Sequence, residues 1–189
     1  MKILLLLLCP VIALAANPAD LEKLRQMNQA APPPTYIDLS NADLRTYLFQ
    51  TSAKKVDLQH ANLSHTNLAG VDLSKMNLAG ADLSYANLSN AKLFQTNLSD
   101  VNLEHANLTG ALLRESDLSN ANLHSANLSG ANMQVVILKK TNLSCANLDQ
   151  ADLTQATLTE ANISGATLVN TVTTDIKDYE SVIDAKVDC

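Results

Sequence analysis

The chain has 189 residues, 47% hydrophobic but only 3% aromatic, with no Trp and two Phe. A core built on large rings is therefore excluded, and small aliphatic side chains must fill one domain. A formal net charge of −6 argues against direct nucleic-acid binding, because such surfaces concentrate Lys and Arg to displace counterions.

Residues 1–15 read as a signal peptide. Lys2 supplies the positive start, Ile3 to Ile12 an apolar stretch, and Ala13-Leu14-Ala15 an A-x-A cleavage pattern, with cleavage expected before Ala16. A membrane span needs about 20 apolar residues, and Asn17, Asp20, Glu22 and Lys23 interrupt sooner. Leu8 precedes Cys9 where a lipoprotein signal resembles a small residue followed by Cys. The expectation is an exported, periplasmic, lumenal or secreted chain that is not membrane-anchored after cleavage, in a compartment that permits disulfides. Residues 16–36 follow as a helix capped by Asn17, opened by Pro18 and running to about Gln29, then a stiff Pro32-Pro33-Pro34 connector.

From residue 58 a period of five takes over. Positions 58, 63, 68 and onward to 168 number (168 − 58)/5 + 1 = 23, and 21 of them are Leu, the exceptions being Met133 and Ile163. Two residues earlier stand 14 Ala, 4 Val, 3 Thr, Ser116 and Met76; one residue earlier stand 13 Asn and 5 Asp. Five fits neither a helix nor a flat strand. It fits a short extended side whose alternation puts the small residue and the Leu inward and the Asn and Ser outward, closed by a turn. Quarter turns would stack every fourth unit at strand spacing, about 4.8 Å, making an interior of Leu ladders. Asn and Ser suit the corners, where their side chains bond local backbone groups.

Units such as Ala81-Asp82-Leu83-Ser84-Tyr85 and Ala86-Asn87-Leu88-Ser89-Asn90 resemble the pentapeptide-repeat family, whose pattern is A-[DN]-L-x-x. The resemblance implies the fold: an all-β solenoid, a right-handed quadrilateral β-helix with four faces and 20 residues per coil. It also implies one function class, since some members resemble B-form DNA and bind DNA gyrase.

The solenoid is assigned to residues 37–170, about seven coils, with looser units centred on Leu39, Leu44 and Phe49. Ser52 to Lys55 supplies only four residues, so the first coil is expected to have one shortened side. Residues 171–189 form the tail, in which Ile176, Tyr179 and Ile183 follow helical spacing from about Asp175 to Val187. Capping helices at both ends would cover the open core and strand edges, leaving a monomer or weak dimer.

No chemistry converges in this pattern. His65 and His105 share a corner column with Tyr85 between them, two coils or about 9–10 Å apart, too far to ligate one zinc at about 2.0 Å each. His124 approaches His105 without a third ligand, and His60 stands elsewhere. Ser after Leu reports a turn, not a nucleophile. Gly70, Gly80, Gly110, Gly130 and Gly165 fall at corners, not in a phosphate loop. No enzyme, metal or cofactor is expected. Phe94 and Leu112 replace polar outward residues, and with Arg114, Val135 and Ile137 they define a candidate surface for a protein partner of unknown identity. Cys145 and Cys189 are the two thiols left after signal cleavage. They form a candidate disulfide closing 189 − 145 = 44 residues, the alternatives being free thiols or an intermolecular bond. The leading functional reading is a noncatalytic structural or protein-interaction module. The alternative is a DNA-mimicking gyrase-binding protein, against which stand the export signal, the lack of an inserted loop and a modest charge over residues 56–170, where 10 acidic and 5 basic residues give −5.

Overall fold

A computed structural model describes residues 38–41, 58–184 and 189. The expected signal peptide, N-terminal helix and connector, and most of the first coil, lie outside the described residues.

Each five-residue unit turns the chain once. In the unit after Leu58, the Ala61 N–H donates to the Leu58 carbonyl at 3.1 Å, while His60 has φ of 56°. A four-residue turn with positive φ at its third residue is type II. The same conformation recurs at each fifth residue from His60 to Asp175, which explains why Gly, Asn and other residues without a β-branch occupy every corner but that of Val135. The Asn or Asp before Leu reinforces the turn: the Asn62 Oδ1 accepts the Ser64 N–H at 3.1 Å, as Asp82 does for Ser84 at 3.0 Å.

Parallel bridges join Asn62 to Asp82, Asp82 to Asn102 and so on at a constant step of 20, so four sides make one coil. Within a ladder the Leu63 N–H donates to the Asp82 carbonyl at 2.7 Å and the Asp82 N–H to the Ala61 carbonyl at 2.9 Å. Asn side chains add outer ladders, for example Asn122 Nδ2 to Asn102 Oδ1 at 3.2 Å and Asn142 Nδ2 to Asn122 Oδ1 at 3.0 Å. Inside, the Leu at every fifth position from Leu63 to Leu148, with Met133 in the same series, and the Ala residues two positions before them are buried, each Leu contributing about 1.5–3 kcal/mol of gross burial. Polar residues at the small position keep this interior satisfied: the Thr66, Thr96 and Thr141 hydroxyls donate to the Leu63, Leu73 and Leu118 carbonyls. Among the described residues no buried side-chain nitrogen or oxygen lacks a partner.

The structure corrects both ends of the sequence reading. A first coil short by one residue would set Leu39 beside Leu58. Instead Asp38 bridges Asn62 and the Leu39 N–H donates to the Asn62 carbonyl at 2.7 Å. That step is 62 − 38 = 24, four residues longer than the repeat. The residues that account for the longer step, Ser52 to Lys55 among them, lie outside the described ones.

At the other end, the helix expected from Asp175 to Val187 does not form over the described residues, and strand pairing passes beyond 170. Val172 bridges Asp152, Lys177 bridges Thr157 and Ile183 bridges Asn162. Only one 3-10 turn, Tyr179–Ser181, interrupts them, and the step from 162 to 183 is 21, one residue more than the repeat. The reason is competition. A helix of about a dozen residues is marginal alone, whereas the preceding coil offers the Ala151, Ala156 and Ala161 carbonyls, taken by the N–H groups of Val172, Lys177 and Ile183 at 2.8–2.9 Å. The β-branched Thr171, Val172, Thr173, Thr174, Ile176, Val182 and Ile183 also favour extended backbone.

Candidate functional site

The outward residues singled out in the sequence fall on two adjacent faces of the solenoid, the one built on Leu93, Leu113 and Met133 and the next built on Leu98, Leu118 and Leu138. Leu112 bridges Lys92 on one side and Asn132 on the other, and Ile137 bridges Asp117. Leu112, Val135 and Ile137 are 44%, 39% and 42% exposed, so they place apolar side chains in water on two successive coils. Phe94 is half-buried rather than fully outward, and the Lys75 ammonium stands 6.0 Å from its ring centroid, at the outer range of a cation–π contact. Arg114 is exposed and ion-paired with Glu115 at 3.0 Å, whose carboxylate also accepts from Gln95 at 2.8 Å.

Val135 has a φ of 58°. It is the one β-branched residue among the described non-glycine residues with positive φ, and a branched side chain in that region is an outlier that costs about 1–2 kcal/mol. Val135 is the fifth residue of its unit, a corner, and its strain follows once every corner is known to be left-handed. The described Lys and Arg residues also segregate. Lys75, Lys92, Arg114, Lys139, Lys140 and Lys177 all belong to these two faces. Lys140 pairs with Glu160 at 3.7 Å, while Lys92 and Lys139 make no ion pair among the described residues.

A second feature is a ring ladder on the opposite side. Tyr85 lies between His65 and His105 with centroids 4.9 Å from each and interplanar angles of 6° and 24°. His124 meets His105 edge-on at 6.0 Å, and its Nδ1 lies 2.9 Å from the Ser144 hydroxyl. Stacking at coil spacing is what a straight corner column dictates. The described residues hold no group of three or more His, Cys, Asp or Glu side chains arranged for a metal ion.

Cys145 and Cys189 form a disulfide with Cα atoms 5.6 Å apart, so the tail is tied back to a corner one coil earlier. Near it the interior opens into a cavity of about 390 Å³, lined by Leu153, Leu158, Ile163, Leu168, Ile176 and Tyr179 among others. No outward-residue pattern could reveal this cavity. Its sequence signal is the loss of Leu at the inward positions of Thr173 and Asp178.

This geometry defines a quadrilateral β-helix of five-residue units. A family model described as pentapeptide repeats matches residues 57–95, 96–134 and 137–172, and the chain belongs to that family. Among solved structures it is similar to HetL, a pentapeptide repeat protein involved in heterocyst differentiation regulation from the cyanobacterium Nostoc sp. strain PCC 7120. The identity is 36% and the TM-score 0.59, over 75% of this chain and 65% of HetL; the match thus spans less than two thirds of that relative. It is also similar to Rfr23 from the cyanobacterium Cyanothece 51142, with 36% identity and TM-score 0.35 over 62% of this chain and 86% of that one. A third, QnrB1, a plasmid-mediated fluoroquinolone resistance protein, shows 20% identity and TM-score 0.31 over 64% of this chain and 81% of its own. No curated protein sequence matches. The family relationship makes the solenoid right-handed.

Proposed function

We propose that the chain is a noncatalytic protein-interaction module exported to a periplasmic or equivalent lumenal space, docking a protein partner on the region of Leu112, Val135, Ile137, Phe94 and Arg114. The observation that carries this reading is Val135. Strain retained at an exposed position, beside two exposed aliphatic residues, is the pattern of a surface kept for binding. Lys92 and Lys139 flank the apolar centre without ion pairs among the described residues, so the complementary surface has an apolar middle and an acidic rim.

The test is a Leu112→Ser/Ile137→Ser double variant, compared with the parent by quantitative cross-linking in the exported fraction. Neither side chain enters the Leu ladder, so the thermal midpoint should hold while a specific cross-linked partner is lost. An identical cross-linking pattern for both proteins would overturn the surface, and recovery of the chain in the cytoplasm would overturn export. The gyrase-binding reading is the weaker one: a DNA mimic needs a broadly anionic rod, whereas all the described Lys and Arg residues lie on two adjacent faces. Protection of gyrase supercoiling from an inhibitor by this chain would reverse that preference.

A further inference from the structure

Among the described residues, no further strand covers the sides built on Leu168 and Thr173. One coil earlier, the N–H groups of Leu148, Gln150, Leu153 and Gln155 donate to the carbonyls of Thr167, Val169, Val172 and Thr174, all at 2.8 Å. The residues one coil on, Leu168, Asn170, Thr173 and Asp175, make no backbone N–H donation among the described residues. This row of donors borders the apolar cavity of about 390 Å³ floored by Leu143, Leu148, Leu153 and Leu158. Of the residues that line it, Leu168 and Tyr179 are 38% and 54% exposed. An open strand edge over an unfilled apolar interior is the arrangement that accepts an added strand.

Charge decides what kind of strand. Over residues 164–184 the chain carries Asp175, Asp178, Glu180 and Asp184 against Lys177 alone, or 1 − 4 = −3. Asp175 lines the cavity itself. Asp175, Glu180 and Asp184 make no ion pair among the described residues. Two such ends facing each other would oppose like charges, which disfavours a second copy joined through this end.

We propose that this end is a second docking site, separate from the Leu112 region, for an extended segment of a partner protein that alternates aliphatic residues with Lys or Arg. Its aliphatic side chains enter the cavity as the next Leu layer. Its carbonyls accept from Leu168, Asn170, Thr173 and Asp175. Its basic side chains, facing outward, meet Asp175, Glu180 and Asp184. The specificity is that of strand addition: main-chain bonds hold the segment and alternate side chains select it.

The probe is a blocked decapeptide of two Ala-Lys-Leu-Ser-Gly units, in which Gly supplies the left-handed corner, titrated into the disulfide-bonded full chain at low salt. Its control carries Glu in place of each Lys. The expected result is saturable binding of the Lys peptide, about tenfold or more tighter than the Glu peptide, with the Leu168, Asn170, Thr173 and Asp175 amides becoming protected from hydrogen exchange. An exposed double variant, Asp175→Lys/Glu180→Lys, should abolish or invert the preference while leaving the melting midpoint near that of the parent. Three results would overturn the proposal: no protection of those amides at saturating peptide, equal affinity for both peptides, or protection that rises with protein concentration alone, which would make the end a self-association surface.

Discussion

The coil that contains Leu118 and the coil that contains Leu168 are built from the same unit, yet they live in different environments. Leu118 is fully buried, and its N–H donates to the Ile137 carbonyl at 2.8 Å. Leu168 is 38% exposed and its N–H has no acceptor among the described residues. In a solenoid each coil is completed by the next one. The same inward Leu and corner Asn therefore sit in a closed interior in the middle and at an edge at the end, and the features that distinguish this chain gather where the repeat is interrupted.

Core truncation should separate the two coils most strongly. Leu118→Ala removes packed atoms from a closed interior and should destabilise the chain by about 2–5 kcal/mol, whereas Leu168→Ala should cost about 1 kcal/mol or less because its side chain is already partly hydrated. Chemical denaturation of both variants checks this, and equal losses would show that the last coil is as closed as the middle. Replacing Cys145 by Ser should act on the end alone. Loss of the link to Cys189 removes a constraint worth about 2–4 kcal/mol in the chain-entropy account, seen as faster exchange in the last coil with the protection of Leu83 and Leu103 unchanged.

A smaller effect of opposite sign is expected at the docking region. Val135→Asn places a residue tolerant of left-handed backbone at the strained corner and should stabilise by up to about 1 kcal/mol while weakening partner capture. A destabilised variant would mean that the Val135 side chain serves packing. The smallest effect is a pH dependence at Asp152. Its carboxylate accepts bonds from the Thr154 hydroxyl, the Thr154 N–H and the Gln134 amide. The Thr154 hydroxyl is the largest influence, and together these bonds hold the Asp152 pKa below the ordinary value against an opposing desolvation. With the folded-state value depressed, the contribution to stability is complete above the ordinary carboxylate pKa of 3.8 and is lost as pH falls through the lowered one. Asp152→Asn should therefore flatten the acid limb of the stability profile slightly, the group being mostly solvated.

What the sequence disclosed follows from repetition. Twenty-three consecutive units report the same environment, so the inward Leu, the Asn that closes each turn and the corner position of Cys145 were legible from the period, and the square section and handedness from the family likeness. Legibility failed where the pattern lapsed. Ile176, Tyr179 and Ile183 carry a helical spacing, yet the edge offered by Ala151, Ala156 and Ala161 recruited that segment into strands. Between Leu39 and Leu58 the period is broken by the four residues Ser52 to Lys55, and only the pairing of Asp38 with Asn62 tells that the step exceeds the repeat. The candidate surface was visible as a list of misplaced apolar residues. The strain at Val135, the ring of Phe94 under Lys75 and the cavity at the last coil depend on backbone angles and neighbours one coil away, which a linear pattern does not encode.

The contrast between a closed middle and an open end is tested most directly by amide hydrogen exchange on the disulfide-bonded chain, residue by residue. The amides of Leu148, Gln150, Leu153 and Gln155 should be strongly protected and those of Leu168, Asn170, Thr173 and Asp175 should exchange rapidly, a change across a single coil. Comparable protection of both sets would contradict the account, since it would place acceptors on an edge that has none among the described residues.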